Sequence, residues 1–177
     1  MMKRLLFTLF VVVLTLQVRA ANNEQFFARI IPDRDVIYAG DSMLVSVVLY
    51  ATSPIAKAEC STEFEVKGKC NTRKLDINRN ATAGRTREGQ HVYYTLVWNQ
   101  YVVAPTRTGK FVIPTQKFKA TLQKVISMPD FFDQMMGAQP QYKNIKVQGS
   151  SDAFTFEVTE KPLRSTQEMM RSGKGVL

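Results

Sequence analysis

The sequence predicts an all-β fold, an immunoglobulin-like antiparallel β-sandwich of about eight to ten strands. Three observations carry the expectation. Apolar and polar residues alternate with period two along most of the chain, the signature of strands with one wet and one dry face. Turn residues punctuate these stretches at Pro32-Asp33-Arg34-Asp35, Gly40-Asp41, Lys67-Gly68-Lys69, Ala83-Gly84-Arg85 and Gly149-Ser150-Ser151. No stretch before Pro162 has a convincing 3.6-residue period.

The strands follow in order. Gln25 to Ile31 and Asp35 to Tyr38 are short candidates before SMLVSVVLY, Ser42 to Tyr50, which is apolar on nearly both faces and reads as a central strand. Glu63 to Val66 and Arg73 to Ile77 come next. HVYYTLVWNQYVV, His91 to Val103, is long, aromatic and β-branched, with Val92, Tyr94, Leu96 and Trp98 on one side and a bulge expected near Asn99-Gln100. QKFKATLQK, Gln116 to Lys124, points Phe118, Ala120 and Leu122 inward and its lysines outward. Tyr142 to Val147 precedes the closing strand DAFTFEVTE, Asp152 to Glu160, whose core face is Phe154, Phe156 and Val158.

Between the long aromatic strand and Gln116 lies YVVAPTRTGKFVIP, Tyr101 to Pro114. Pro105 lacks a backbone donor, so the first strand must end or reach an edge there. Thr108-Gly109 supplies a turn, Lys110 to Ile113 begins the next strand, and Pro114 stops its pairing. A hairpin is expected in which Val102-Val103 faces Phe111 and Ile113. Its only polar candidates for chemistry, Thr106, Thr108 and Lys110, have no partner nearby in sequence, so the segment reads as architecture.

The first twenty residues read as a secretory signal: Lys3 and Arg4, an apolar run from Leu5 to Leu16, then Val18-Arg19-Ala20 as the cleavage site. The run is about a dozen residues, against the roughly twenty that span a bilayer; the alternative is an uncleaved anchor. The expected organisation is therefore a signal peptide at 1–20, one β-sandwich domain at 21–162 and a flexible polar tail at 163–177. No later stretch is apolar for long enough to make a transmembrane helix, so the mature chain is expected in the periplasm or cell envelope. Losing the leader removes three positive charges and lowers the net charge from +9 to +6. That balance favours acidic partners, but the basic residues are spread along the chain without a dense run. Nucleic acid is not expected as a partner, and a solvated surface is the reading preferred.

Two cysteines, Cys60 and Cys70, follow the leader. In an oxidising compartment a close, even pair predicts one disulfide, worth roughly 2.5–3 kcal/mol for a loop of about ten residues. The alternative is a metal pair, but zinc wants four ligands and the chain adds only His91. No metal and no cofactor is expected. No catalytic motif of the GxSxG, HExxH, P-loop or Rossmann kind occurs. His91 stands alone, and Asp33 and Asp35 suit turn geometry, so no catalytic residue is assigned. The one conspicuous apolar loop is FFDQMMGAQP. There Phe131, Phe132, Met135 and Met136 form an adaptable surface of the kind partners use. Two readings stay open: a partner-binding surface, or phenylalanines folded back to plug one end of the sandwich. A copper(I) site on Met135 and Met136 is disfavoured, because adjacent side chains do not easily face one ion.

A resemblance adds to this. The pattern Tyr101, Pro105, Gly109, Phe111, Ile113, Pro114 after a long aromatic strand resembles the BatD, or "oxygen tolerance", proteins of bacteria. So do FARIIPDRDVIYAGDSMLVSVVL, MPDFFDQMMGAQP (Met128 to Pro140) and VQGSSDAFTFEVTEKP. Most of Ala21 to Pro162 takes part. The resemblance implies an exported, non-enzymatic interaction module in a membrane-associated assembly with other Bat-type envelope proteins, linked to aerotolerance or envelope stress. Peripheral membrane association would follow. Family members usually carry several such domains and a carboxy-terminal membrane helix, which this sequence lacks. The alternative function is a sandwich that binds a carbohydrate or surface polymer, for which Trp98-Asn99-Gln100-Tyr101 is the only suitable patch.

Overall fold

A computed structural model describes residues 24–162; the signal peptide and the polar tail expected from the sequence lie outside the described residues. Eleven strands run in the order β1 (Phe26–Pro32), β2 (Ile37–Tyr38), β3 (Met43–Ala51), β4 (Ile55–Cys60), β5 (Cys70–Leu75), β6 (Gly84–Glu88), β7 (His91–Pro105), β8 (Gly109–Ile113), β9 (Lys117–Ser127), β10 (Gln141–Ser150) and β11 (Phe154–Thr159). A 3-10 turn, Arg79–Thr82, separates β5 from β6, and one short helix, α1 (Phe131–Met135), lies between β9 and β10.

The strands form an all-β sandwich. The large sheet has the order β1-β3-β7-β5, with β6 also on β7; the smaller ones are β10-β9-β4 and β2-β11-β8. Pairing is antiparallel throughout except between β2 and β11. The large sheet faces both smaller ones. Phe26, Ala28, Val47, Leu49 and Ala51 pack against Phe118, Ala120 and Leu122. Met43, Val45 and Val103 pack against Ile37, Phe111, Ile113, Phe156 and Val158. These are the alternating inward positions of each strand, as half-buried sheets require. As expected, β3 and β7 are central: β3 lies between β1 and β7, and β7 carries β5 and β6 on its far side.

Four sequence expectations are corrected, and one strand was missed. Cys60 and Cys70 are free. Cys60 ends β4, in the sheet of β9, whereas Cys70 opens β5, in the large sheet. The two sulfurs are not brought to bonding distance. The Cys60 thiol donates instead to Thr62 O at 3.0 Å, and Cys70 Sγ lies 3.6 Å from Thr72 Oγ1.

The segment after β7 is not a hairpin. β8 pairs with β11, not with β7, so Pro105 to Gly109 carries the chain from one sheet to the facing one. Pro105 still ends β7, Gly109 takes φ +128° in the turn, and Val103, Phe111 and Ile113 meet in the core across the gap. Glu63 to Val66 is no strand. Ala83-Gly84-Arg85 is less a turn than the start of β6. Finally, β4 was not expected: IAKAEC alternates from Ala56 on, but Ala, Lys and Glu are residues depleted in strands.

One corner of the sandwich is tightly shut. On β10, Gly149 lies so close to β1 that a Cβ built on it would overlap the Phe26 carbonyl. The opposite corner, between β4 and β5, is open.

Candidate functional site

The chain places its apolar exposure in one structure, a β-hairpin arm. β4 pairs with β9 only from Phe118 to Leu122, whereas β10 stays paired to β9 as far as Ser127. Past Gln123, whose N still donates to Pro54 O at 2.9 Å, the sheet is therefore two strands wide, and residues 123–128 and 141–144 are exposed. A two-stranded ribbon has no third layer to cover its faces. Val125 and Tyr142 sit opposite each other on it.

At its end the arm turns through α1. Pro129 and Asp130 start the helix, and Asp130 Oδ1 accepts from Asp133 N at 2.8 Å as an N-cap. Gln134 Nε2 donates to Pro129 O at 3.0 Å, and Gly137 N donates to Gln134 O at 3.0 Å. The tip is thus shaped by its own polar bonds. Its apolar side chains are left outside: Phe131 is 79% exposed, Phe132 70%, Met135 71% and Met136 77%. Four residues apart on a helix share a face, so Phe131 stands with Met135 and Phe132 with Met136. Neither phenylalanine plugs the sandwich. Eight of the eleven exposed large apolar side chains among the described residues lie between Val125 and Tyr142, so the exposure belongs to the arm as a whole. The sequence pointed to the four tip residues but not to Val125, Ile126 and Tyr142, because the alternation of β9 fades after Lys124.

The Trp98-Asn99-Gln100-Tyr101 patch occupies the open corner. The register of β7 on β3 passes from Val47 opposite Asn99 to Val48 opposite Val97, so Trp98 is the extra residue of a bulge, next to the expected Asn99-Gln100. The bulge resets the alternation. Leu96 and Trp98 face the core, and so does Tyr101 three residues on, while Gln100 Nε2 donates to Ser46 Oγ at 2.9 Å. β6 pairs with β7 only up to Thr95 and β5 only from Gln100. On that side the stretch between them has no ladder neighbour, and side chains from the 3-10 turn take its place. Arg79 Nε donates to Trp98 O at 2.7 Å, and Thr82 Oγ1 accepts from Val97 N at 3.1 Å. The Arg79 guanidinium also lies 4.0 Å over the Trp98 ring, close enough for cation–π attraction.

This corner holds a cleft of about 430 Å³. Val47 and Phe118 form its floor, with Trp98, Asn99, Tyr101, Gln116, Thr62 and Phe64 around it. Asn99 and Gln116 are 7% and 3% exposed. Asn99 Oδ1 accepts from Arg79 Nη2 at 3.1 Å and Asn99 Nδ2 donates to Tyr101 Oη at 3.1 Å. Gln116 Nε2 donates to Pro114 O at 3.2 Å. Phe64 and Tyr101 stack with centroids 3.7 Å apart. Burial pushes the Tyr101 phenol above its ordinary range, so it stays protonated and able to donate.

Among the described residues no three His, Cys, Asp or Glu side chains gather as a metal site, and no helix is long and apolar enough to cross a membrane. His91 is exposed at the start of β7, 6.1 Å from the Tyr93 ring. Asp33 shapes its turn: its Oδ1 accepts from Leu44 N at 3.0 Å. The Arg34 guanidinium beside it holds its carboxyl below the usual range. No protein-family model, curated protein or solved structure matches the chain.

Proposed function

We propose that this protein is an exported, non-enzymatic interaction module that docks a partner protein through the β9–β10 arm. The observation that carries the reading is the exposure of Phe131, Phe132, Met135 and Met136 on a capped helical tip. Burying such side chains is worth roughly 1.5–3 kcal/mol each, and the intramolecular fold leaves that gain unused. Phe and Met are the residue types enriched at interface cores, and methionine adapts to uneven surfaces. The resemblance to BatD proteins supplies the partner class: other Bat-type proteins of the cell envelope, in an assembly linked to aerotolerance or envelope stress. A signal peptide at 1–20 fits that setting.

The test is recovery of Bat-type proteins from an envelope extract by the immobilised mature chain, with a variant carrying serine at Phe131, Phe132, Met135 and Met136 as control. The expected result is loss of recovery in the variant with little change in melting temperature. A large fall in melting temperature would place the tip in the core, and equal recovery by both chains would place the interface elsewhere.

A further inference from the structure

We propose that the open-corner cleft is a second binding site, for a neutral polyhydroxylated ligand of the saccharide class. The site is independent of the arm. Burying amide side chains in a sandwich core is costly unless their hydrogen bonds are met, and most sandwich interiors avoid them. Here two of the four buried polar residues among those described, Asn99 and Gln116, converge on one cleft. A bulge in the longest strand turns Trp98 inward there, and bulges recur where side chains are re-aimed at functional sites. A volume of about 430 Å³ lies within the usual range for small-ligand pockets, roughly 300–1,000 Å³.

The lining chemistry selects the ligand. Arg79 and Tyr101 between them fix the Asn99 amide. Gln116 Oε1 accepts from Thr62 Oγ1 at 3.4 Å, so the second Asn99 N–H, the Tyr101 hydroxyl proton and one lone pair of Gln116 Oε1 are left to a guest. Thr62 and Thr72 add hydroxyls at the wall. Of the lining residues only Glu63 and Lys74 are charged, one of each sign, and neither is in an ion pair among the described residues; the Arg79 guanidinium beside the cleft is engaged by Asn99 and the Trp98 ring. A formally neutral wall of mixed donors and acceptors suits hydroxyl groups, which do both, better than an anion or cation. The stacked Phe64 and Tyr101 rings give an apolar wall of the kind that C–H faces of a sugar ring contact.

Trp98 is the only tryptophan in the chain and lines this cleft, so indole fluorescence reports on the site directly. The experiment titrates the purified chain with glucose, galactose, N-acetylglucosamine, maltose and cellobiose, with glutamate and inorganic phosphate as charged probes. The expected result is a saturable change in Trp98 emission with at least one neutral sugar and none with the charged probes, accompanied by amide shifts at Thr62, Phe64 and Gln116. Tyr101→Phe keeps the ring stack and removes one hydroxyl; it should weaken that sugar about tenfold, the scale of one hydrogen bond to a buried partner. The arm variant with serine at the four tip positions should bind the sugar unchanged. No saturable response to any of the five sugars, a response undiminished by Tyr101→Phe, or stronger binding of the charged probes would each overturn the proposal.

Discussion

Gly149 of β10 lies against the carbonyl of Phe26 of β1, with no room for a side chain between them. This contact shuts one corner of the sandwich where a smaller sheet meets the edge of the large one. Phe26 in turn is buried in the core shared with Leu122 and Phe118. Gly149→Ala must push β10 off β1 or tilt Phe26. Overpacking of this kind costs typically about 1–3 kcal/mol. Urea denaturation should show a lower midpoint at unchanged slope. An unchanged midpoint would mean that the corner yields freely.

The same corner carries a buried carboxylate. The Glu24 side chain is 6% exposed. Its Oε2 accepts from Thr52 Oγ1 and Ser53 Oγ, both at 2.7 Å, and its Oε1 lies 2.9 Å from Lys124 Nζ. Burial alone would raise the Glu24 pKa, but Lys124 and the two hydroxyls outweigh it and hold the carboxyl below its ordinary value. A carboxylate with a depressed folded-state pKa adds stability that is complete above the unfolded value and lost as pH falls through the folded one. Glu24→Gln should therefore be less stable than the parent near neutral pH, by about 1 kcal/mol. The gap should close as pH drops from the ordinary glutamate range to below it. A gap independent of pH would assign the effect to packing.

Free cysteines make a sharp expectation. Thiol titration of the unreduced, unfolded protein should count both Cys60 and Cys70, and a reducing agent should not shift the thermal midpoint. A disulfide closing this short loop would have added about 2.5–3 kcal/mol, which reduction would remove as a clear fall in midpoint. That fall, with no free thiol, would restore the bond expected from spacing.

Those cysteines show where sequence spacing stops being informative. Ten positions apart in the chain, they lie at the ends of strands in different sheets, and spacing carries no information on which sheet a strand joins. β3, β7, β9 and β11 were legible because each presents a strict alternation or a long β-branched run, which burial on one or both faces imposes. β4 was not, since an edge strand can be built on small side chains and the Ala, Lys and Glu of IAKAEC are residues depleted in strands. The failed hairpin has the same origin. Tyr101 to Pro114 announced a break and a restart correctly, but partner choice is decided by β11, forty residues further on. At the arm, Phe131, Phe132, Met135 and Met136 were legible as a cluster, while their exposure depends on how far β9 and β10 outrun β4. The cleft was half legible: the bulge was expected, but Arg79 and Gln116 come from a turn and a strand start with no pattern of their own.

Arg79 is the side chain that holds the cleft's shape. It closes two hydrogen bonds on β7 where neither β5 nor β6 reaches, and covers the Trp98 ring. Arg79→Ala should cost about 1–3 kcal/mol from the lost hydrogen bonds and cation–π contact and should shift Trp98 emission toward that of a water-exposed indole. Arg79→Lys should recover little of the loss, since a point ammonium cannot place two donors and a flat face together. Full recovery by lysine would reduce the role of Arg79 to its charge.

The arm should be the least protected part of the sheet of β9. From Phe118 to Leu122, β9 is hydrogen-bonded on both sides and covers core residues. Gln123 N still donates to Pro54 O at 2.9 Å, but from Lys124 to Ser127 it has β10 alone and no covering layer. Local opening costs least where few apolar contacts are lost, and an isolated two-stranded hairpin is marginal in water. Amide exchange should therefore be faster around Val125 and Tyr142 than around Ala120 and Val147, although both pairs belong to one ladder. Docking of a partner on the arm should slow the fast set and leave the slow set alone. Uniform exchange along β9 in the free protein would mean that the arm is already stiff, and the cost of ordering it on binding would fall away.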